Sequence, residues 1–368
     1  MSVLLRNGPS FSRFTQLRRC QVRKIIDLPH EKFLWHLAGM TADASDESFR
    51  AIFEPHRRSV TLHCYRMLGS LQDAEEIVQE TLLRAWQRKA EVRSSTMRPW
   101  LYKIATNACL DHLLKARRRR TLPHLVSPPS SAAVKLTPAT DERLWVEPAP
   151  DALLEIADDD RRRPDERVPQ RESIGLAFIS ALQFLSPKQR AALLLVDVLE
   201  WKPEEAAALL ETSLVSVNSL LQRARKSVES RKVDREPSQL SSSDAALLQR
   251  FISTWESGDP EAFAELLTHD ALFSMPPQPE WFTGPRAIAD FFAAMWSAQP
   301  GQRRLLPLAA NGGPAVAVYR RLRTPNAAFE PGGITLLTMR EGLISHITRF
   351  GSPKLFPLFG LPAQLRDA

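Results

Sequence analysis

Residues 186–231 read SPKQRAALLLVDVLEWKPEEAAALLETSLVSVNSLLQRARKSVESR, and the interpretation of the whole chain starts from this stretch. Pro203 suits the first position of a helix, where its missing N–H would have no partner anyway. Ser213 comes after a turn and can cap a second helix, on which Val217 and Leu221 share one face. Five polar or basic residues of that helix point elsewhere: Ser216, Asn218, Ser219, Gln222 and Arg223. The pattern predicts a helix-turn-helix whose second helix reads base edges in the major groove, and the alternative is an ordinary αα-hairpin with a solvated face.

Length and composition set broad bounds on the rest. The chain has 368 residues, enough for two or three domains, and its net charge of +7 suits a polyanionic partner. Cys20, Cys64 and Cys109 are far apart without CxxC spacing, which favours a reducing compartment and predicts no zinc site. No apolar run approaches the roughly 18 residues that a membrane span needs. We therefore expect a cytoplasmic protein with no metal and no cofactor.

The first residues form a basic segment that differs in charge from the rest of the chain. Its first 39 positions are rich in basic side chains and have few acids; among the basic residues are Arg6, Arg13, Arg18, Arg19, Arg23 and Lys24. Such a segment is a transit peptide, a flexible basic arm or the result of a start codon assigned too early. We expect a basic, disordered extension over residues 1–47, and the sequence leaves open whether Met1 or Met40 is the true start.

The next part of the chain, a helical block, contains a helix with an acidic face. Asp73, Glu75 and Glu76 lie in its first turn, where the helix dipole favours negative charge. Glu76 and Glu80 are like charges at i and i+4, a spacing that costs an isolated helix a few tenths of a kcal/mol. On a basic protein, an exposed acidic face suggests a basic protein partner. Helix capping and solvation are the alternative explanation.

A second helix of this block combines basic and aromatic side chains. They are Arg98, Trp100, Tyr102 and Lys103, with Asn107 one turn later and the block Arg117–Arg120 at the end. Residues 49–120 hold 15 Lys and Arg against 7 Asp and Glu, a net charge of +8. This combination fits neutralisation of a nucleic-acid backbone together with stacking of unpaired bases. A core-packed Trp100 and a solvated basic tail are the alternative.

Together these segments resemble an extracytoplasmic-function sigma factor of the sigma-70 family. The residues that carry the resemblance are DAEEIVQETLLRAW (Asp73–Trp86), RPWLYKIATNACLDHL (Arg98–Leu113) and the helix-turn-helix Leu185–Arg225. In that family the first segment docks on the coiled coil of the polymerase β′ subunit. The second helps to recognise and melt the −10 element, and the helix-turn-helix reads the −35 element.

The resemblance implies roles for individual residues. The residues expected to face the polymerase are Asp73, Glu75, Glu76 and Glu80. Those expected near the −10 DNA are Arg98, Trp100, Lys103 and Asn107. Those expected near the −35 DNA are Ser216, Asn218, Ser219, Gln222 and Arg223. The implied partners are core RNA polymerase and promoter DNA, with no membrane; a structural role, as in bonding of Asn107 to backbone, is the alternative for some of these side chains.

Residues 121–172 form a linker that cannot be one continuous helix, because eight prolines interrupt it. It carries 11 Asp and Glu and 7 Lys and Arg, a net charge of −4, with an acidic triplet at Asp158–Asp160. The resemblance implies a segment that threads the RNA-exit path of the polymerase. An uncommitted spacer is the alternative.

The C-terminal third has a different pattern. Strands are predicted at residues 272–275, 315–319, 334–339 and 343–350, with a hairpin turn at 340–342, and a helix is predicted over residues 284–296. The arrangement resembles the SnoaL-like, nuclear-transport-factor-like (NTF2-like) α+β cone that is fused to some sigma factors of this group. The run Met275–Phe282 fits the fused version. Such a cone can enclose an apolar pocket, so a small-molecule ligand is left open.

Enzymes with this fold need a general base in the pocket. The candidates are His269, Asp270, Glu280 and His346. They are scattered, His269 and Asp270 are expected in a loop, and His346 is expected to point outward. We therefore predict no catalytic residues and no enzyme activity. The expected role of this module is regulatory, with Trp281 packing against the helical domains.

The sequence thus predicts a multidomain protein with two all-α sigma domains, the second a helix-turn-helix, followed by an α+β SnoaL/NTF2-like cone. The expected parts are the extension 1–47, sigma region 2 at 48–120, the linker 121–172, sigma region 4 at 173–232 and the SnoaL-like domain at 244–365. The predicted function is that of a transcription initiation sigma factor whose C-terminal domain modulates activity. The alternative is a small-molecule-binding or enzymatic module fused to a conventional helix-turn-helix repressor.

Overall fold

The computed structural model describes residues 44–88, 97–116, 120–131, 145–154, 175–230, 242–298, 302–321 and 328–366. Within these ranges a helical N-terminal half precedes a C-terminal domain built on one mixed sheet, so the predicted fold class is confirmed. Several predicted features lie outside the described residues: most of the N-terminal extension, Arg117–Arg119 and the acidic triplet Asp158–Asp160.

The first helical domain contains three helices: α1 (Ala44–Leu68), α2 (Leu71–Gln87) and α3 (Met97–Ala116). Gly69 separates α1 from α2 with a φ of +69°, a conformation that glycine adopts without steric cost. Ser70 then caps α2, because its hydroxyl accepts a hydrogen bond of 3.1 Å from the backbone N–H of Asp73. The apolar faces of the three helices meet in one core.

Among the described residues, the linker contacts this first domain along residues 145–154. A 3-10 turn occupies Pro123–Leu125, and a short helix, α4, occupies Asp151–Leu154. Residues 145–154, here called the linker strap, cross the start of α2. The backbone N–H of Val146 donates to the Thr121 carbonyl over 3.0 Å, and that of Glu147 donates to the Gly69 carbonyl over 2.9 Å.

The second helical domain contains the predicted helix-turn-helix. Its helices are α5 (Leu176–Leu182), α6 (Pro187–Leu193), α7 (Pro203–Leu209) and α8 (Leu214–Glu229), with a π-helical turn at Leu194–Val198 after α6. Pro203 opens α7, and Ser213 caps α8 by accepting from the backbone N–H of Ser216. Val217, Leu221 and Ala224 are the buried residues of α8, so this prediction is confirmed.

A buried arginine joins the two helical domains. Arg190 of α6 is 3% exposed and donates to the carbonyl oxygen of Met67 in α1. It also donates to the backbone carbonyls of Gln183 and Leu185 over 3.1 and 3.3 Å. Because a buried cation is costly without acceptors, these contacts fix where the second domain sits against the first.

The C-terminal domain wraps a curved sheet around three helices. The helices are α9 (Ser242–Ser257), α10 (Pro260–Ala264) and α11 (Pro285–Ala298). The strands are β1 (Leu267–Ser274), β2 (Trp281–Thr283), β3 (Gln302–Ala310), β4 (Gly313–Arg321), β5 (Glu330–Arg340) and β6 (Leu343–Phe350), and α12 (Leu355–Leu358) comes after them. The order across the sheet is β2-β1-β6-β5-β4-β3, with only the β1–β6 pair parallel among these strands.

Aromatic side chains fill the space between the sheet and its helices. Trp255 of α9, Phe263 of α10 and Phe292 of α11 contact one another with ring centroids 4.7 to 6.1 Å apart. The opposite face of the sheet contributes to the same continuous apolar core as the helical domains. One face of the sheet therefore packs on the domain's own helices, and the other packs on the helical half of the chain.

Candidate polymerase and promoter interface

Three of the four acidic side chains predicted to meet the polymerase lie at the surface of α2. Glu75 and Glu76 are exposed, and Glu80 is 45% exposed while it pairs with Arg84 one turn later at 2.6 Å. An exposed pair of this kind contributes little to stability. This acidic face is therefore available to a basic surface at little folding cost.

The fourth acidic residue, Asp73, has a second set of contacts. Arg120 donates to its carboxylate over 2.7 Å, and His112 lies 3.4 Å away. Burial raises the pKa of Asp73, but the hydrogen bonds and charges of His112 and Arg120 outweigh it and leave the pKa below its usual value. A docking partner of Asp73 would compete with Arg120, whereas a partner of Glu75 or Glu76 would not.

Glu147 of the linker strap completes this cluster. Its carboxylate accepts from the Ser70 hydroxyl and from the backbone N–H of Leu71, both over 3.0 Å, and lies 3.7 Å from Arg120. Burial raises the pKa of Glu147, more than the charge of Arg120 and the hydrogen bonds lower it. The strap thus holds the N-terminus of α2, where the helix dipole favours a carboxylate.

The residues predicted near the −10 DNA lie along α3. Arg98 is exposed, with its guanidinium 5.9 Å from the centre of the Tyr102 ring. Trp100 is partly buried and packs against the core, which leaves only part of its ring for stacking. Asn107 is partly exposed, and Lys103 pairs with Glu211 at 3.3 Å.

The residues predicted near the −35 DNA share one side of α8. Asn218, Ser219, Gln222 and Arg223 are exposed, and Ser216 is partly exposed. The Ser216 hydroxyl lies 2.9 Å from that of Ser213, and Arg223 Nε donates to the Ser219 carbonyl over 3.2 Å. This side offers hydroxyl, amide and guanidinium groups, which are the groups that contact base edges and phosphates.

Two apolar residues were missed by the sequence interpretation. Leu214 is 39% exposed and Val215 is 79% exposed, both in the first turn of α8. Apolar side chains at the start of a reading helix suit contact with thymine methyl groups. Val215 could have been found in the sequence, because it lies off the stripe of Val217, Leu221 and Ala224. By contrast, Arg225 is paired through two hydrogen bonds, of 2.7 and 2.9 Å, with Asp197.

The two sets of residues predicted to face DNA meet where the helical domains touch. Lys103 of α3 pairs with Glu211, which occupies the helix-turn-helix turn with a φ of +50°. One residue earlier, the ring of Tyr102 lies 5.7 Å from that of Trp201. The predicted −10 set of α3 therefore abuts the second domain at Lys103, and any DNA bound along α3 would compete with this contact.

The C-terminal domain contacts the first helical domain through the turn between β3 and β4. Asn311 of that turn donates from Nδ2 to the Tyr65 hydroxyl over 2.9 Å, and its Oδ1 accepts from the Ala149 N–H over 2.9 Å. The Tyr65 hydroxyl donates in turn to the Glu147 carbonyl over 2.7 Å. Asn311 is 1% exposed and Tyr65 is fully buried.

Trp281 makes a second contact, with the linker instead of the expected helical domains. It lies in β2, and its Nε1 donates to the Ser127 carbonyl over 2.8 Å. His124 of the 3-10 turn packs on Trp281 and on His346, with ring centroids 6.3 and 4.9 Å away. His346 precedes the inward-facing Ile347 and so lies on the outer face of β6, as expected, where the linker covers it.

The four candidate bases do not form one site. His269 and Asp270 lie in β1, not in a loop as expected, and the side chain of His269 is 93% exposed. Asp270 pairs with Arg340, which lowers the pKa of Asp270 to about 2 through that hydrogen bond. Glu280 is buried immediately before β2. Within the described ranges, no group of three or more His, Cys, Asp or Glu could hold a metal ion.

No helix in the described part of the chain is long and apolar enough to cross a membrane.

Three family models match the chain in order. They are sigma-70 region 2 at residues 52–119, sigma-70 region 4 at residues 175–228 and the SnoaL-like domain at residues 248–347. The ECF RNA polymerase sigma factor SigG of Mycobacterium tuberculosis is 43% identical over 329 residues, which is 88% of this chain and 86% of that protein. SigJ of the same species is 26% identical over 336 residues, 86% of this chain and 95% of SigJ.

A solved structure shows the same arrangement of elements. The crystal structure of Mycobacterium tuberculosis SigJ superposes with a TM-score of 0.55 and 22% identity, covering 86% of this chain and 99% of SigJ. At this level of identity the likeness concerns the fold: two helical domains followed by a mixed-sheet domain.

Proposed function

This chain belongs to the extracytoplasmic-function sigma factors and is a transcription initiation factor with a SnoaL-like C-terminal domain, and we propose that it works through three surfaces. The acidic face of α2 binds the coiled coil of the β′ subunit of core RNA polymerase. The exposed side of α3 recognises the −10 element, and α8 reads the −35 element. The protein acts in the cytoplasm, where the polymerase acts.

The observation that carries this proposal is the separation of charges on the helical half. Glu75 and Glu76 project from α2, whereas Arg98 and Arg223 project from α3 and α8. Opposite charges on separate faces let one protein contact a basic protein surface and DNA at the same time. This division supports a bridging factor over a repressor, which needs only the DNA contact.

We propose a regulatory role without catalysis for the C-terminal domain. Its candidate bases are dispersed, and His346 is covered by the linker. Its contacts through Asn311 and Trp281 tie it to the first helical domain and to the linker. A domain attached in this way can bias the geometry of the two DNA-binding domains, as a covalently linked ligand would.

Reconstituted transcription tests the proposal. Purified core polymerase is mixed with the full chain and a supercoiled template that carries candidate promoters, and transcript start sites are mapped. We expect start sites that appear only when both components are present, and co-elution of the chain with core polymerase. A chain that binds duplex DNA but neither co-elutes with core polymerase nor directs new starts is the repressor of the alternative.

A further inference from the structure

Three arginines project from the inner face of the curved sheet at one end. They are Arg303 of β3, Arg320 of β4 and Arg349 of β6, here called the arginine mouth. Each lies two residues from a buried core residue of the same strand, such as Val318 and Ile347. Because side chains alternate across a strand, the arginines face the same side as this aromatic and aliphatic core.

The arginine mouth concentrates positive charge. Arg303 and Arg320 are direct partners in the β3–β4 register, a placement that is unfavourable for like charges. Burial, and then the charge of Arg320, lowers the pKa of Arg349 to about 10. Two acids lie nearby: Glu330 is the register partner of Arg320 and is exposed, and Glu256 is engaged with the backbone N–H of Leu305 at 2.8 Å.

Hydrogen-bond donors at this end are enclosed without acceptors. Arg349 Nη2 donates to the Gly332 carbonyl over 2.9 Å, but its Nε is out of contact with solvent and has no hydrogen-bond partner among the described residues. The same holds for Nε1 of Trp296, whose ring lies 5.8 Å from the guanidinium of Arg303. Buried donors without acceptors are rare in folded proteins, and a bound group is one explanation.

A small cleft opens between these side chains. The three arginines line it together with Trp255, Met295, Val318 and Gly332, and its cavity volume is about 20 Å³, with an opening to solvent. Its walls are therefore guanidinium groups on one side and apolar surfaces on the other. Deeper in the cone the aromatic cluster fills the interior, so the cleft suits a small group.

From these contacts we infer that the arginine mouth binds a small organic anion through its carboxylate or phosphate group. Guanidinium groups match the planar geometry of a carboxylate or phosphate and can donate two parallel hydrogen bonds. The anion would separate the facing charges of Arg303 and Arg320 and accept from Nε of Arg349. Met295, which is partly exposed beside the cleft, offers an apolar surface to the body of the ligand. This inference stands independently of the promoter contacts proposed above.

Calorimetric titration of the full chain at constant ionic strength tests the inference. The probes are inorganic phosphate, phenyl phosphate and benzoate, with benzyl alcohol as the neutral analogue. We expect at least one aromatic anion to bind saturably and benzyl alcohol not to bind. Comparison of phenyl phosphate with benzoate identifies the preferred group, and comparison with inorganic phosphate shows whether the apolar body contributes.

Variants locate the site. Arg320→Gln removes an exposed member of the arginine mouth, and Arg349→Lys keeps the charge but removes the planar fork. The matched control is Arg304→Gln, a neighbour on the opposite face of β3 that stacks on Phe329 at 5.1 Å. We expect both mouth variants to weaken anion binding about tenfold or more, as loss of a charged hydrogen bond does, and Arg304→Gln to change it less than about twofold.

Two results would overturn the inference. One is that no anion binds at millimolar concentrations, or that Arg304→Gln weakens anion binding as much as the mouth variants do. The other is that only duplex DNA binds this domain and that Arg304→Gln and Arg320→Gln reduce that binding equally, because the arginines would then neutralise phosphates along a backbone. Near-ultraviolet circular dichroism of each variant checks that it is folded.

Discussion

The side-chain amide of Asn311 donates a 2.9 Å hydrogen bond to the hydroxyl of Tyr65, across 246 residues of sequence. Tyr65 belongs to the core of the first helical domain, and Asn311 occupies a turn of the C-terminal sheet with a φ of +51°. Buried polar groups of this kind are costly to leave unpaired. The pair therefore docks the C-terminal domain against the sigma domains in one orientation.

Removal of either partner of this pair should destabilise the chain. Asn311→Gly keeps the left-handed turn, since glycine tolerates a positive φ, and Tyr65→Phe removes only the hydroxyl. Each also leaves a strap group without its partner, so we expect a loss of about 1–3 kcal/mol per variant in urea unfolding. A double-mutant cycle should show coupling of about 0.5 kcal/mol or more, and strictly additive losses would contradict the docking contact.

Buried histidines should make the chain less stable as the pH falls. Burial is the main factor that lowers the pKa of His63 and of His124 to about 3 and that of His346 to about 4. In the unfolded chain each takes up a proton near pH 6.5, so the unfolded state binds more protons below that value. The free energy of unfolding is therefore highest above about pH 6.5. Toward pH 4 it falls by up to about 1.4 kcal/mol per pH unit for each histidine.

Replacement of His124 tests this explanation. His124→Phe keeps a ring against Trp281 and His346 but cannot bind a proton. Between about pH 7 and pH 5, the variant should lose about 1–2 kcal/mol less stability than the wild type. If the free energy of unfolding falls equally with pH in the wild type and in His124→Phe, the explanation by a neutral, buried His124 is contradicted.

Polymerase binding should depend on the acidic face of α2. Reversal of charge in the double variant Glu76→Lys with Glu80→Lys should weaken binding to core polymerase about tenfold or more at physiological salt, through repulsion at a complementary surface. The control is Glu261→Lys with Glu265→Lys, an equal change of charge on exposed positions of the C-terminal domain. If both double variants bind core polymerase equally well in a fluorescence assay, this face is not the docking surface.

Residues of α8 should divide into those that set affinity and those that set sequence preference. Arg223→Ala should weaken binding broadly if the side chain meets a phosphate, or at one base if it meets a groove edge. Asn218→Ala, Ser219→Ala and Val215→Ala should change the preferred −35 sequence, by about 1–3 kcal/mol at the contacted position. Selection from a random −35 library checks this, and an unchanged consensus in all of these variants would reject α8 as the reader.

The helix-turn-helix was predictable because its determinants are local. The cap at Ser213 and the stripe Val217, Leu221 and Ala224 follow from helical periodicity alone, and the structure has them as expected. Strands β2 and β3 were missed because their local pattern is weak. In β3, Arg303, Arg304 and Pro307 interrupt the alternation of polar and apolar residues that marks an ordinary strand. A strand whose inner face ends in arginines does not show the two-residue hydrophobic period by which strands are predicted.

Contacts between domains could not be read from the sequence. Tyr65 and Lys103 look like ordinary helical residues, and their partners Asn311 and Glu211 are far away along the chain. The same is true of the linker: its prolines exclude one continuous helix, but nothing in its sequence shows that His124 covers His346. Long-range pairing depends on how whole elements pack, which local propensity does not encode.

The central claim is that the C-terminal domain, docked on the sigma domains, modulates initiation. Promoter-directed transcription by variants of this domain tests that claim most directly. The measurement compares the full chain, Asn311→Gly, Trp281→Ala and a chain ended after Lys232, each with core polymerase on several promoters. All three changes should shift transcript output in the same direction, by about threefold or more. Wild-type output from the truncated chain at every promoter would contradict the claim and favour a separate ligand-binding or enzymatic role for the domain.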